Sequence, residues 1–241
     1  MNFIRLKRLA FRALLQILMT GLFLPPVWAQ ATVGTVSALT GTVQLSRNSR
    51  SSPANVGLGV QMADRFTTGP ASSLNLTMAD NSRLDLGEQT SLVIDQMLLG
   101  PAGRQSTRLS LLSGQVTSLV TAALRSSAPD FQVQTPNAVA AVRGTKFSVT
   151  FARRSAVCGY RDSTDVAVYQ GVVSVSSRAN PTSSILVYSG QETVVCGPDL
   201  PLAPGPLGLA GMNPDSDSFY GLNPGTGGAP PPVCPVCPGH C

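Results

Sequence analysis

The chain has 241 residues and a formal net charge of +5, from 17 Lys and Arg against 12 Asp and Glu. Charged residues make up 12% of the sequence and aromatic residues 5%. Both fractions are too low for a protein that neutralises many phosphates or stacks on bases, which argues against nucleic-acid binding. The one histidine, His240, stands next to the C-terminus, which excludes Ser-His-Asp and Cys-His catalysis from the body of the chain.

Residues 1–31 have the composition of a cleavable signal peptide. Four basic residues precede an apolar run, Ala13–Leu24, and two overlapping small-x-small cleavage sites follow, Val27–Ala29 and Ala29–Ala31. A membrane anchor is the alternative, but the run is shorter than the roughly 20 residues of a spanning helix. Cleavage removes four basic residues and no acidic one, which leaves 13 basic against 12 acidic groups. We therefore expect an exported chain without a membrane anchor, in the periplasm of a Gram-negative bacterium, or secreted or at the cell surface.

Residues 32–197 carry short runs in which apolar and polar residues alternate, separated by Gly, Asn, Asp and Ser. Such alternation buries one face of a strand, and closely spaced turn signals are typical of an all-β domain. The motif Gly-x-Val recurs at Gly41, Gly114 and Gly171. This recurrence suggests strands that are entered through similar glycine turns, as in a sheet that coils over itself. We predict one all-β domain of rolled, solenoid-like, antiparallel-rich sheets, with a β-sandwich as the alternative. Clear examples of the alternating runs are Leu74–Met78, Phe147–Phe151 and Val173–Val175.

Two local patterns in this region make specific predictions. Asp80 and Asn81 tolerate positive φ, so they predict a tight hairpin turn. The segment Val116–Leu124 fits the periodicity of a helix as well as that of a strand. A strand beginning at Val116 is favoured, because Gly114 precedes it as in the other Gly-x-Val phrases.

Two cysteines fall inside the predicted domain. Cys158 lies in a predicted hairpin loop, and Cys196 follows the last alternating run, 38 residues later. In an oxidising compartment such a pair is a candidate disulfide that ties the end of the domain to a loop. The alternative is two small buried thiols that do not meet.

Residues 198–241 form a Pro/Gly-rich tail. It holds 11 of the 19 prolines, three aspartates and no Lys or Arg. A segment of this composition is not expected to build a sheet or a core, so we predict an extended tail. The tail carries −3, which leaves +4 on the domain of the exported chain.

The tail ends in three cysteines, Cys234, Cys237 and Cys241, with His240 between the last two. A metal site and a Cys-x-x-Cys redox pair are two interpretations of this cluster. The repeated Pro-Val-Cys phrase instead favours polyproline II, in which three residues advance about 9 Å, more than the Cα separation of a disulfide. Two hypotheses stay open, thiols that form intermolecular disulfides and a solvated tail, and no metal ligand is assigned.

Two pairs of aspartates are the remaining candidates for catalysis, Asp80 with Asp85 and Asp162 with Asp165. Both pairs lie at turn signals, where Asp usually serves backbone geometry rather than acid–base chemistry. The sequence holds no Walker loop, dinucleotide fingerprint or HExxH motif. We assign no catalytic, cofactor-binding or metal-binding residue and expect a protein that is not an enzyme and uses no cofactor.

An ordered series of motifs resembles the FecR domain family over most of residues 33–195. It includes Asp64–Gly69, with the sequence Asp-Arg-Phe-Thr-Thr-Gly, and the alternating run Leu76–Leu86. Its most specific part is the segment Thr135–Phe147. The positions of that segment that match the family motif are Thr135, Pro136, Arg143, Gly144, Thr145 and Phe147.

The resemblance implies an all-β domain that acts through protein contacts rather than catalysis. The namesakes of the family relay the occupancy of an outer-membrane ferric-siderophore receptor to a sigma factor, and a cytoplasmic segment and a membrane span precede their domain. Here the predicted signal peptide takes that place. The expected function is a non-enzymatic periplasmic or secreted module that binds a protein partner in the cell envelope, in sensing or signalling. The alternative is a surface or matrix structural protein, or a glycan-binding one, that assembles through the tail cysteines.

Overall fold

The computed structural model describes residues 31–100, 103–121 and 130–208. Two units divide the chain, Met1–Ala31 and Thr32–Cys241, and all the strands belong to the second. The strands are β1 (Thr32–Thr40), β2 (Val43–Arg47), β3 (Arg50–Pro53), β4 (Gly59–Gln61), β5 (Arg65–Thr68), β6 (Ser73–Met78), β7 (Arg83–Leu86), β8 (Ser91–Gly100), β9 (Gly103–Leu119), β10 (Phe131–Gln134), β11 (Ala138–Val142), β12 (Lys146–Ser155), β13 (Arg161–Gln170), β14 (Val172–Ser177), β15 (Ser184–Tyr188), β16 (Gln191–Cys196) and β17 (Gly205–Pro206).

The strands form two sheets that share β9. The first sheet has the order β4, β1, β6, β7, β9, β12, β13, β16, β17, with antiparallel neighbours throughout. The second has the order β3, β2, β5, β8, β9, β10, β11, β14, β15, and among its described strands only β9 and β10 are parallel. Strand β9 pairs in the second sheet up to Ser113 and in the first sheet from Gly114 onward.

The chain passes repeatedly from one sheet to the other, and most of these crossings contain a glycine. Gly114 shows why, since its φ of +79° is unfavourable for a residue with a side chain. A Cβ at that position would also lie 2.6 Å from the Cα of Thr90. The glycines at crossings are Gly41, Gly57, Gly69, Gly87, Gly114, Gly144, Gly171 and Gly190.

The main hydrophobic core of the described residues lies between the two sheets. Strand alternation aims one set of side chains inward, as in β6, where every second residue is buried. Phe66, Leu92 and Phe131 come from the second sheet, and Leu84 and Phe147 from the first, and all five are fully buried. The all-β, rolled, antiparallel-rich architecture predicted from the sequence is confirmed.

The hairpin at Asp80 and Asn81 is also confirmed, since it joins β6 to β7 and Asn81 has a φ of +63°. The segment around Val116 is a strand, as favoured, but the predicted start was wrong. Strand β9 already begins at Gly103, because Gly114 bends the strand from one sheet into the other rather than opening it. Ala123 and Leu124 lie outside the described residues.

The sheet continues past Gly197, where the sequence predicted the domain to end. The N–H of Leu202 donates to the carbonyl of Val194, and the Thr193 hydroxyl donates to the carbonyl of Leu202. Strand β17 then pairs with β16. The expectation that the segment after Pro198 cannot join a sheet was therefore wrong for its first part, because an edge strand needs only alternate backbone groups and tolerates proline there. No helix in the described ranges is long and apolar enough to span a bilayer.

Candidate functional site: the open edge of the second sheet

Thr135 belongs to the motif segment and lies in the turn between β10 and β11, where its side chain is buried. Its Oγ1 accepts a hydrogen bond from the N–H of Ala138 at 3.0 Å and lies 2.7 Å from Oγ1 of Thr164. The amide of Asn137 donates to the carbonyl of Val195 at 2.9 Å. These bonds tie a turn of the second sheet to β13 and β16 of the first. The role of this part of the motif is therefore structural.

The remaining motif positions surround the crossing between β11 and β12. Gly144 has a φ of +68°, and the hydroxyl of Thr145 donates to the carbonyl of Val172 at 3.2 Å. Phe147 is fully buried and meets Phe131 edge to face, with ring centroids 6.4 Å apart. Pro136 and Arg143 are exposed. Apart from those two, the motif builds the fold rather than a binding surface.

Asp64, in the first part of the motif series, forms an ion pair that has a structural role. Its carboxylate is buried and accepts from Nε of Arg47 at 2.7 Å and from Nη2 at 2.6 Å. The N–H of Gln61 donates to the same carboxylate. The hydrogen bond with Asp64 raises the pKa of Arg47, so the guanidinium stays charged. It fastens β2 to the loop between β4 and β5.

A buried ion cluster at Arg104 has no sequence signal of its own. The guanidinium of Arg104 contacts Asp80 and Asp130, donates to the carbonyl of Thr121, and lies 5.5 Å from the ring centroid of Phe131. A buried cation with two carboxylates is stabilised by ion pairing and hydrogen bonds. Removal of one partner leaves an uncompensated buried charge, which is destabilising. Asp80, one of the suggested catalytic carboxylates, is therefore a structural partner of Arg104.

The other three aspartates suggested for catalysis do not form a facing pair. Asp162 and Asp165 are an odd number of residues apart on β13, so their side chains point to opposite faces of the sheet. Burial raises the pKa of Asp85 to about 6. Burial, together with the nearby Glu192 carboxylate, raises the pKa of Asp165 to about 6. Within the described part of the chain no group of three or more His, Cys, Asp and Glu side chains could hold a metal ion.

Cys158 and Cys196 lie side by side and are bonded to each other, with Cα atoms 5.3 Å apart. The bond joins the turn Ala156–Cys158, which follows β12, to the end of β16. The disulfide therefore links this turn to the C-terminal end of the domain predicted from the sequence. The tail thiols Cys234, Cys237 and Cys241, with His240, lie outside the described residues.

The clearest candidate for an interaction site is the edge formed by β15. In the described part of the chain β15 pairs with β14 on one side, and no strand pairs with it on the other. Leu186 and Tyr188 on β15 are each 52% exposed, and Val172, opposite Tyr188 on β14, is 39% exposed. We call Val172, Leu186 and Tyr188 the β15 patch. It combines an open strand edge with contiguous apolar side chains.

The opposite edge of the same sheet is built differently. Strand β3 is exposed along its whole length, carries Arg50 and two serines, and ends at Pro53. Charge and proline are common devices that protect an edge strand from pairing with another chain. The second sheet thus has one protected edge and one open apolar edge. The β15 patch has no signal in the sequence, since alternation shows that Leu186 and Tyr188 share a face but not that the strand ends the sheet.

Comparison with known proteins gives a family match and matches to solved structures. Residues 64–174 match the family model described as FecR protein, so the predicted resemblance is confirmed over that range. Two crystal structures of a candidate anti-sigma factor from Parabacteroides distasonis ATCC 8503 align with 16% sequence identity and a TM-score of 0.47. Each alignment covers 59% of this chain and 59% of that protein, so the chain spans less than two thirds of its length. No curated protein is significantly similar to this chain.

Proposed function

We propose that this chain is an exported, non-enzymatic module of the cell envelope, periplasmic or at the cell surface, that binds a protein partner in sensing or signalling. Its domain would extend from residue 32 to the end of β17, after cleavage of the signal segment, with the remaining tail attached. The FecR match over residues 64–174 supports the class of protein. The bonded pair Cys158–Cys196 is what an oxidising compartment favours.

The observation that carries the proposal is the open β15 edge. An extended segment of a partner can add a strand to such an edge, where backbone hydrogen bonds give affinity and outward side chains give specificity. Leu186 and Tyr188 would supply apolar contacts beside the added strand, and Tyr188 also offers a hydroxyl. The partner segment would therefore be a β-strand with apolar residues at alternate positions.

Site-directed photo-crosslinking in cells tests this proposal. A photoreactive phenylalanine analogue replaces Tyr188 in one variant and Arg50 on the protected edge in a matched control. We expect one defined protein adduct from position 188 and none from position 50. The adduct should be lost when Leu186→Pro removes a backbone donor from β15, while far-UV circular dichroism shows the fold retained.

Two results would overturn the proposal. Equal adducts from both edges would show nonspecific contact, and no adduct from position 188 would leave the edge without a partner. Reducible multimers of the chain itself, or retention on polysaccharide, would favour the alternative of a surface or matrix protein that assembles through Cys234, Cys237 and Cys241.

A further inference from the structure

The outer face of the first sheet is buried along one continuous row of residues. Asp85, Thr117, Ser148, Ala167 and Glu192 are register partners on β7, β9, β12, β13 and β16. Their exposed fractions are 8%, 4%, 0%, 0% and 2%. We call these five residues the outer stripe. They point away from the core, so the core does not account for their burial.

The second sheet provides a matched control for this observation. Arg108, Gln132, Ala141, Ser174 and Leu186 form an outward row across five neighbouring strands in the same way. None of these five residues is buried, although Ala141 and Ser174 are as small as the central residues of the outer stripe. Tyr169 of β13 shields one residue of the outer stripe, since its hydroxyl lies 3.1 Å from Oγ of Ser148, but small size does not explain the burial of the whole outer stripe. Strands buried on both faces are typical of a sheet covered by a further layer.

The strands and the 3-10 turn that the structure describes do not supply that layer. Every described strand belongs to one of the two sheets. The carboxylate of Asp165, which flanks the stripe on β13, has a buried oxygen, Oδ1, without a hydrogen-bond partner among the described residues. The raised pKa values of Asp85 and Asp165 likewise reflect loss of water from this outward face.

The point at which the described chain ends identifies a candidate for the cover. The N–H of Gly208 donates to Oε2 of Glu192 at 3.1 Å, so the chain leaves the described structure at one end of the outer stripe. Thirty-three residues follow, and their large apolar side chains include Leu209, Met212, Phe219, Tyr220 and Leu222. The stripe crosses four strand spacings, about 19 Å in all, which about six residues of extended chain can span.

Charge also favours this segment. Residues 209–241 contain Asp215 and Asp217 and no Lys or Arg. Arg83 and Lys146 are both register partners of Leu119, on the row next to the stripe. A segment that starts at Gly208 and crosses the sheet brings its two aspartates to that basic pair after seven to nine residues.

We propose that the C-terminal segment beginning at Leu209 docks on the outer stripe, with its apolar residues over Ser148 and Ala167 and its two aspartates beside Arg83 and Lys146. This contact is independent of the β15 patch, which lies on the other sheet. The segment thus forms part of the domain surface rather than a free linker, and it covers one sheet while the other stays open to a partner.

Photo-crosslinking within the full exported chain tests the contact directly. A photoreactive phenylalanine analogue replaces Phe219, and tryptic peptides are mapped after irradiation of a dilute sample. We expect an intramolecular crosslink to peptide 147–153 on β12, or to the β13 residues 162–170 within peptide 162–178. The same analogue at Arg50, on the protected edge of the second sheet, is the control and should crosslink to neither β12 nor β13. A crosslink between two copies, or no crosslink to these peptides, overturns the proposal.

Limited proteolysis provides a second measurement. Chymotrypsin should cut after Phe219 or Tyr220 at least ~10-fold faster in Ala167→Arg than in the wild type, because a large charged side chain displaces the segment from the stripe. Ser174→Arg, at the matched position of the second sheet, should be cut at the wild-type rate. Equal rates in all three proteins contradict the proposal. If circular dichroism shows that Ala167→Arg does not fold, the crosslinking result decides.

Discussion

The two sheets of this domain differ most on the faces that point away from the core. On the second sheet the row from Arg108 to Leu186 is exposed or half-buried and ends at an open apolar edge. On the first sheet the corresponding row from Asp85 to Glu192 is buried and carries carboxylates of raised pKa. Both sheets contribute to one core, so the difference does not come from inward packing. The outward row of the first sheet is shielded from solvent, whereas that of the second sheet is in contact with it.

The largest expected effect comes from a change at the point where β9 passes between the sheets. Gly114→Ala should lower the free energy of unfolding by about 3 kcal/mol or more, because positive φ adds to a Cβ clash with the backbone of Thr90. Gly57→Ala is the matched control, with a φ of +83° and no atom within 4 Å, and should lose about 1 kcal/mol. Urea denaturation measures both. Equal losses would mean that the close approach at Gly114 has no energetic consequence.

Substitution of one outward-facing residue of each sheet by arginine compares the burial of the two outer faces directly. Ala167→Arg should lower the free energy of unfolding by about 2 kcal/mol, because it opens a buried face. Ser174→Arg should change it by less than about 0.5 kcal/mol, because that position is already in contact with solvent. Thermal and urea denaturation of the two variants supply the measurement. A loss of the same size at both positions would show that the outer faces are alike.

The carboxylates of the covered face predict a pH dependence. Asp85 and Asp165 have folded-state pKa values of about 6, raised above the ordinary value of 3.8. The folded state therefore favours the neutral acids, and their contribution to stability is complete below about pH 4 and is lost as the pH rises through 6. Asp85→Asn and Asp165→Asn should flatten this part of the profile. At pH 7 each substitution should raise the free energy of unfolding by about 1 kcal/mol, after allowance for solvent screening.

Denaturation between pH 4 and pH 8 checks this prediction. The exposed pair Arg161–Asp199 serves as a control, since both side chains are 52% exposed. Asp199→Asn should leave the profile between pH 5 and pH 7 unchanged, because exposed pairs contribute little. A wild-type profile that rises through pH 6 would contradict the sign of the effect.

The smallest expected effect concerns the open edge. Leu186→Ser with Tyr188→Ser should change the free energy of unfolding by less than about 0.5 kcal/mol, because both side chains already face solvent. Val187→Ala, on the inward face of the same strand, should cost about 2 kcal/mol through the cavity it leaves. Chemical denaturation measures stability, and adduct formation from a crosslinker at Val172 measures binding. A double variant that retains the adduct would separate the β15 patch from partner binding.

Several features of the fold could be predicted from local sequence because their causes are local. Alternation in β6 and β12 marks a buried face, Asn81 adopts the positive φ of a tight turn, and Gly144 allows a sharp crossing. The motif segment Thr135–Phe147 indicates the family because its side chains have fixed structural partners. By contrast, the partners of Arg104 are 24 and 26 residues away along the chain, so no local pattern reveals the buried cluster.

The sequence by itself determined that this is an all-β chain of alternating strands with glycine turns and a FecR-like motif, because backbone conformation and one-sided burial leave local signals. Only the tertiary structure decided which strands lie at the edges, and hence that β15 is open while β3 is protected. It also decided which outward row is buried, since Ser148 and Ala167 do not differ in residue type from Ser174 and Ala141. Burial on an outer face depends on what packs there, and packing joins residues that are distant in the chain.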